Sequence, residues 1–331
     1  MAVPQTRSFA RSIRSLFGEP LTGPLSLAQR KALRQAAVRV EAIGWTAEGQ
    51  ELVGLRCGDP ALPLVSIVAG AHPDEPAGPL AALQLVANWH RHPLRDAVQL
   101  AVVPQLDIDG ARDQAGWLSP WTDRAELHRY LAHRLRRQPG ADREFAWPGA
   151  PWGGTVLPEC QAAADFFAGA GAAIGHLSLH GMATAAGVWF LVDAIGLADG
   201  PLWNDLRACA AGLGLALHDA HRYGDKGFRR CGTGMATTPS GPAMRRHFLA
   251  AGDPATAAGF GYGSMDHARL LCRQRGLPPP VCAVSEFPLW RLPTELAYDR
   301  AALEAACTAI VSADDPSRAA ADFLARPGVA A

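Results

Sequence analysis

The chain has 331 residues, of which 49% are hydrophobic and 19% charged, enough to bury a full core. Its 31 Lys and Arg balance 31 Asp and Glu, so no overall field draws it to nucleic acid or anionic lipid, and a small, roughly neutral substrate is expected. The seven cysteines lack CxxC spacing, no segment reaches the length of a membrane span, and Arg7, Arg11 and Arg14 precede no apolar signal stretch; reduced, buried thiols and a cytoplasmic location are expected.

In chain order, residues 36–43 and 50–57 read as an opening strand pair and 64–71 as a buried apolar strand. A helix rich in Ala and Leu follows at 76–90, then a strand at 98–104 and helices at 124–137 and 158–169. Next come strands at 174–180 and 187–192, a helix at 201–212 and a strand at 213–218. Residues 219–256 carry many Gly, Thr, Pro and Arg with weak periodicity and read as a long loop holding one short helix, a length typical of lids. A helix at 265–275, a buried strand at 280–286 and helices from 298 onward complete the chain. This alternation predicts an α/β fold: a single domain over 36–331 built on a mostly parallel mixed sheet with helices on both faces, after an N-terminal extension of residues 1–35.

The tetrapeptide His72-Pro73-Asp74-Glu75 stands where the strand at 64–71 gives way to a turn, so an imidazole and a carboxylate three residues apart can converge on one ion. In the alternating segment 173–181, His176, Ser178 and His180 share one face and Leu177 and Leu179 the other, with His180 last. The strand at 280–286 ends in the carboxylate of Glu286. Ligands of open α/β sheets collect beyond the carboxyl ends of the strands, which gathers His72, Glu75, His180 and Glu286 into one expected pocket. Two imidazoles and one carboxylate suit a single Zn2+ with a fourth position left for water. Glu286 is then the expected general base, taking the proton of a water that the ion acidifies. Plainer readings exist for each residue: a capped turn at His72 and Glu75, a core histidine at 180, a structural ion pair at Glu286. His176 is expected to pack in the sheet. The pair His218 and His221 has metal-like spacing but no partner set.

These residues resemble, in order and over most of the chain, the zinc carboxypeptidases of the funnelin type and the related succinylglutamate desuccinylase and aspartoacylase group. The segment 69–78 around His72 and Glu75 resembles the family's first two zinc ligands, and Ser178-Leu179-His180 its third-ligand segment. Pro104-Gln105-Leu106-Asp107-Ile108-Asp109-Gly110 resembles the Asn-Pro-Asp-Gly turn, with Asp107 where Asn is usual. Asp142-Arg143-Glu144-Phe145 is similar to the Asn-Arg-Asn-Phe segment whose arginine binds the substrate's terminal carboxylate. Gly263-Ser264-Met265-Asp266 resembles the stretch lining the specificity pocket, and Ser285-Glu286-Phe287-Pro288 the general-base segment. The helical pattern at 298–312 with no β-rich domain after it resembles the carboxypeptidase branch.

The resemblance implies a zinc-carboxypeptidase-like hydrolase with one Zn2+ per chain, acting on a small peptide or N-acyl amino acid, with no nucleic acid or membrane partner and the oligomeric state left open. It also implies an oxyanion-stabilising arginine, for which Arg124 is best placed and Arg112 and Arg129 are rivals. Arg143, Asp142, Met265 and Tyr262 become candidate substrate-binding residues, although Tyr262 does not match the position of the family's mobile tyrosine. Asp142 departs from the family, and Gly140 replaces the aspartate three residues before the arginine. Either Asp142 orients a zinc-binding histidine, or it faces the substrate and repels a carboxylate. A deacylase acting on small amides, whose substrate carries an amine in place of the carboxylate, and a catalytically silent zinc-binding protein are the alternatives.

Overall fold

The computed structural model describes residues 16–118, 127–135, 137–193, 201–219, 228–238, 240–293, 299–327 and 329. The strands among them, in chain order, are β1 (Arg39–Trp45), β2 (Glu51–Cys57), β3 (Leu64–Ala69), β4 (Gln99–Val103), β5 (Ala173–Ala185), β6 (Trp189–Val192), β7 (Arg230–Gly232), β8 (Met235–Ala236) and β9 (Val281–Arg291). All belong to one mixed sheet in the spatial order β1-β2-β4-β3-β5-β9-β6-β8-β7. The central strands β4, β3, β5 and β9 run parallel, and antiparallel pairs flank them on both sides.

The helices are α1 (Leu27–Gln35), α2 (Ala77–Ala87), α3 (Ile108–Asp113), α4 (Ala115–Leu118), α5 (Leu127–His133), α6 (Pro158–Ala170), α7 (Pro201–Gly212), α8 (Gly241–Ala250), α9 (Pro254–Ala258), α10 (Ser264–Gln274), α11 (Arg300–Val311) and α12 (Pro316–Leu324). Alternate residues of the central strands feed opposite layers. Ile67, Ala69, Leu100 and Val102 pack with Leu33 of α1 and Leu83 and Val86 of α2. Leu64, Val68, Ala101 and Val103 pack with Cys160, Ala163 and Phe167 of α6. Burial on both faces explains why these strands read as nearly unbroken apolar runs. Phe17, Leu21 and Leu25 enter the first of these clusters, so residues just before α1 share the core of the sheet. A third cluster joins Trp290 of β9 to Tyr130 of α5, Ile310 of α11 and Phe323 of α12.

Several elements differ from the sequence expectation. Residues 213–218 form no strand: Leu217 makes a single bridge to Val188, and Leu213 is exposed. The described part of 219–256 is not a long loop, since it holds the short hairpin β7–β8 and the helices α8 and α9. Pro242 and Pro254 there sit in first helical turns, where a missing N–H costs nothing, and Gly241 opens α8. Ser240 and Asp253 cap those turns by accepting from Ala243 N and Thr256 N. β5 and β9 also run past the expected ends at His180 and Glu286, because residues 181–185 and 287–291 continue to pair with each other. All seven cysteines are free thiols, and no helix among the described residues is long and apolar enough to cross a membrane.

Gly78 fixes how α2 seats on β5. A Cβ there would stand 2.2 Å from the carbonyl oxygen of Leu179, a backbone atom that cannot swing aside. Gly78→Ala is therefore expected to destabilise the fold by about 1–3 kcal/mol, the usual range for overpacking. Urea denaturation of the variant, with an unchanged midpoint, would show that α2 has room to move.

Candidate active site

The site forms where the loops after β3 and β4 are stitched together. Gly70 takes a φ of +66°, turning the chain sharply out of β3. Leu106 N then donates to Ala69 O at 2.9 Å and Asp107 N to Gly70 O at 2.8 Å. In the turn that follows, Glu75 N donates to His72 O at 3.3 Å, which curls the two side chains the same way.

His180 meets them from β5. In the parallel register Ala69 lies opposite Leu179, so His180 is one residue past the end of β3 although it is central in its own strand. It lies directly beside Glu286 of β9. His72 Nδ1 is 3.0 Å from Glu75 Oε1, His180 Nδ1 is 2.9 Å from Glu75 Oε2, and the two Nδ1 atoms are 3.2 Å apart. Ligand atoms at about 2.1 Å from a tetrahedral zinc stand about 3.4 Å from one another, so this donor set fits such an ion with a small expansion.

Both outer ring nitrogens are braced. Ser178 Oγ lies 2.8 Å from His180 Nε2, and His72 Nε2 lies 3.4 Å from Asp142 Oδ1 and 3.3 Å from Glu144 Oε2. Partners of this kind fix the tautomer and aim the other nitrogen at a metal. Gly181 N donates to Glu75 Oε2 at 3.1 Å and steadies the carboxylate. Burial alone lowers the proton affinity of His72, but the charges of Glu75 and Asp142 outweigh it and the net shift is well upward. For His180 burial likewise lowers it, and the hydrogen bond and charge of Glu75 reverse the sign. The cluster therefore attracts positive charge strongly.

Glu286 adds a further carboxylate beside His180. Its Oε2 is buried and takes no hydrogen bond from the described residues. Burial first, then the charge of Glu75, push its pKa up to about 8. His176 pairs through Nδ1 with Ser66 Oγ at 2.8 Å, and burial pushes its pKa down to about 3, as for a neutral core histidine. His218 is buried, and its Nδ1 accepts from Ala186 N at 3.2 Å.

The other candidates lie differently from the ligand cluster. Arg143 is buried, with Nη2 3.3 Å from Glu159 Oε1, Nη1 3.5 Å from Asp107 Oδ2, and Nη1 donating to Ala141 O at 3.0 Å. Arg137, not anticipated from sequence, donates to Asp107 Oδ2 at 3.0 Å. Met265 packs with Trp189, Phe228 and Val284 in an apolar cluster. Tyr262 stacks edge-on against Trp152 and its carbonyl accepts from Trp147 N. Arg112 pairs with Glu48 and Asp113 at the surface, whereas Arg124 lies outside the described residues, as does His221. Glu144 and Ser178 reach the site without having been singled out. Ser178 shares a strand face with His180, a visible signal, while Glu144 needed the fold to bring it to His72.

No protein-family model matches the chain, and no curated protein matches by sequence. Solved structures do match. A protein of Shewanella baltica OS155 provisionally assigned as a metallopeptidase superposes with a TM-score of 0.51 at 14% identity, over 78% of this chain and 81% of its own. One from Shewanella amazonensis SB2B, assigned likewise, gives 0.51 at 15% identity over 91% and 92%. A third, from Shewanella denitrificans OS217, gives 0.50 at 15% identity over 91% and 88%. The chain thus shares its α/β fold with these three proteins.

Proposed function

We propose that the chain is a zinc-dependent hydrolase that cleaves an amide or peptide bond of a small substrate. The observation that carries this reading is the convergence of His72 Nδ1, His180 Nδ1 and Glu75 on one point, with Glu286 beside them and both imidazoles braced from behind. A dication held there supplies Lewis-acid polarisation of a carbonyl and acidifies a water. His72 and His180 bind as neutral imidazoles, and Glu75 contributes the carboxylate. Ser178 and Asp142 hold the rings in the ligating tautomer. Glu286 accepts a proton and passes it to the leaving nitrogen. Its raised proton affinity owes part of its size to Glu75, a contribution that neutralisation of Glu75 removes.

A second reading, hydrolysis of N-acyl amines or other small amides without a free C-terminal carboxylate, draws support from Arg143. Its guanidinium is engaged with Asp107 and Glu159 in the interior, so it is poorly disposed to anchor a substrate carboxylate.

The purified protein is expected to hold about one zinc per chain, as three protein ligands and an open position imply, and His180→Ala to lose it. Full zinc in that variant by elemental analysis would remove His180 from the ligand set. Glu286→Gln is expected to keep its zinc while turnover of N-acyl amino acids or dipeptides falls by a factor of about 10² to 10⁴. Hydrolysis near the wild-type rate would exclude proton transfer by Glu286. For Arg143→Gln, leaving Asp107 and Glu159 without this partner should cost about 3 kcal/mol of stability in urea denaturation. An unchanged stability together with a raised KM for substrates bearing a carboxylate would instead make Arg143 a substrate anchor.

A further inference from the structure

Two carboxylates reach the same ring nitrogen. With Nδ1 of His72 turned toward Glu75 and His180, Nε2 carries the one remaining N–H, and a single hydrogen serves a single acceptor well. Asp142 and Glu144 lie 3.4 and 3.3 Å from it. Asp142 is the one tied in place, because its Oδ1 also accepts the backbone N–H of Glu144 at 2.9 Å, a turn that holds it toward the ring. The charge of Glu144 is therefore surplus to the bracing of His72. Its side chain remains 16% exposed, so it is open to a ligand. Among the described residues no arginine or lysine pairs with it, and the intervening Arg143 is engaged with Asp107 and Glu159.

We infer that Glu144 selects a substrate carrying a positively charged amine close to the scissile bond, with Asp142 acting only as the positioning residue for His72. The inference rests on the zinc-hydrolase reading and adds the charge of the substrate to it. A carboxylate at this place attracts an ammonium group and repels a carboxylate, and a charge-assisted hydrogen bond of this kind is worth about 10-fold or more in affinity. An ammonium of the acyl part and one of the leaving amine satisfy the same chemistry.

The test uses the full chain loaded with Co2+ and three small thiols that bind the metal through sulfur and differ in the tail: cysteamine, 2-mercaptoethanol and 3-mercaptopropionate. Thiolate-to-cobalt absorption reads each affinity without turnover. Comparing Glu144→Gln with the wild type cancels differences in thiol acidity. The ratio of cysteamine to 3-mercaptopropionate affinity is expected to fall by about 10-fold or more in Glu144→Gln. In Asp142→Asn the ratio should persist while cobalt affinity falls about 10- to 100-fold. A ratio unchanged in Glu144→Gln, or one abolished only in Asp142→Asn, overturns the assignment. Two cobalt ions per wild-type chain, with one lost in Glu144→Gln, would also overturn it by making Glu144 a metal ligand. Thiol binding with the expected charge order but no hydrolysis of any N-acyl amine would sink the hydrolase reading and leave the charge preference standing. Failure to take up cobalt at all would overturn both, since Glu144 would then face no metal.

Discussion

Parallel pairing of β5 with β9 in one register is the constraint on which the site depends. It sets His180 beside Glu286 and, through the pairing of β5 with β3, places both one step beyond the end of β3. A slip of one residue would turn His180 to the opposite face of the sheet and leave a leucine in its place. The flanking pairs of β5 with β9 continue for five residues past His180, so the register is held from both sides of His180 and Glu286. That continuation also gives Trp290 to the cluster that seats α5, α11 and α12. The C-terminal helices thus brace the same strand that carries Glu286.

Charge is distributed in two separate groups. In the interior, Asp107 and Glu159 share Arg143, and Asp107 also holds Arg137. This group ties the turn after β4 to the first turn of α6, and its carboxylates are fully compensated in sign by the two guanidiniums. Beyond the end of the central strand β3, four carboxylates, Glu75, Glu286, Asp142 and Glu144, surround two imidazoles. Such a surplus of negative charge in a largely buried place is unfavourable by itself and would be relieved by a bound dication. The segment 142–144 belongs to both groups, sending its two acids to the site and its arginine to the interior.

The described part of 219–256 shows why local composition misleads. Gly241, Pro242 and Pro254 read as breakers, yet each lies at or next to a helix start where φ near −65° is already helical. The strands β7 and β8 have three and two residues, too few for any period to register, and exist because β6 offers an edge. In the opposite sense, 213–218 has an apolar look that no neighbouring strand uses beyond Leu217.

By itself the sequence determined the α/β class and the central strands, and it singled out His72, Glu75, His180 and Glu286 as one expected cluster. It did so because buried parallel strands impose continuous apolar runs and a polar residue at their ends has few structural reasons to be there. The role of Asp142 stayed open between ring and substrate, since one residue of sequence cannot tell which way a turn directs a carboxylate. Only the tertiary structure placed Asp142 against His72 Nε2, brought Glu144 to the same atom, and drew Arg143 inward between Asp107 and Glu159. Those contacts join residues far apart in the chain, and their geometry is fixed by strand register and by the stitched loops after β3 and β4.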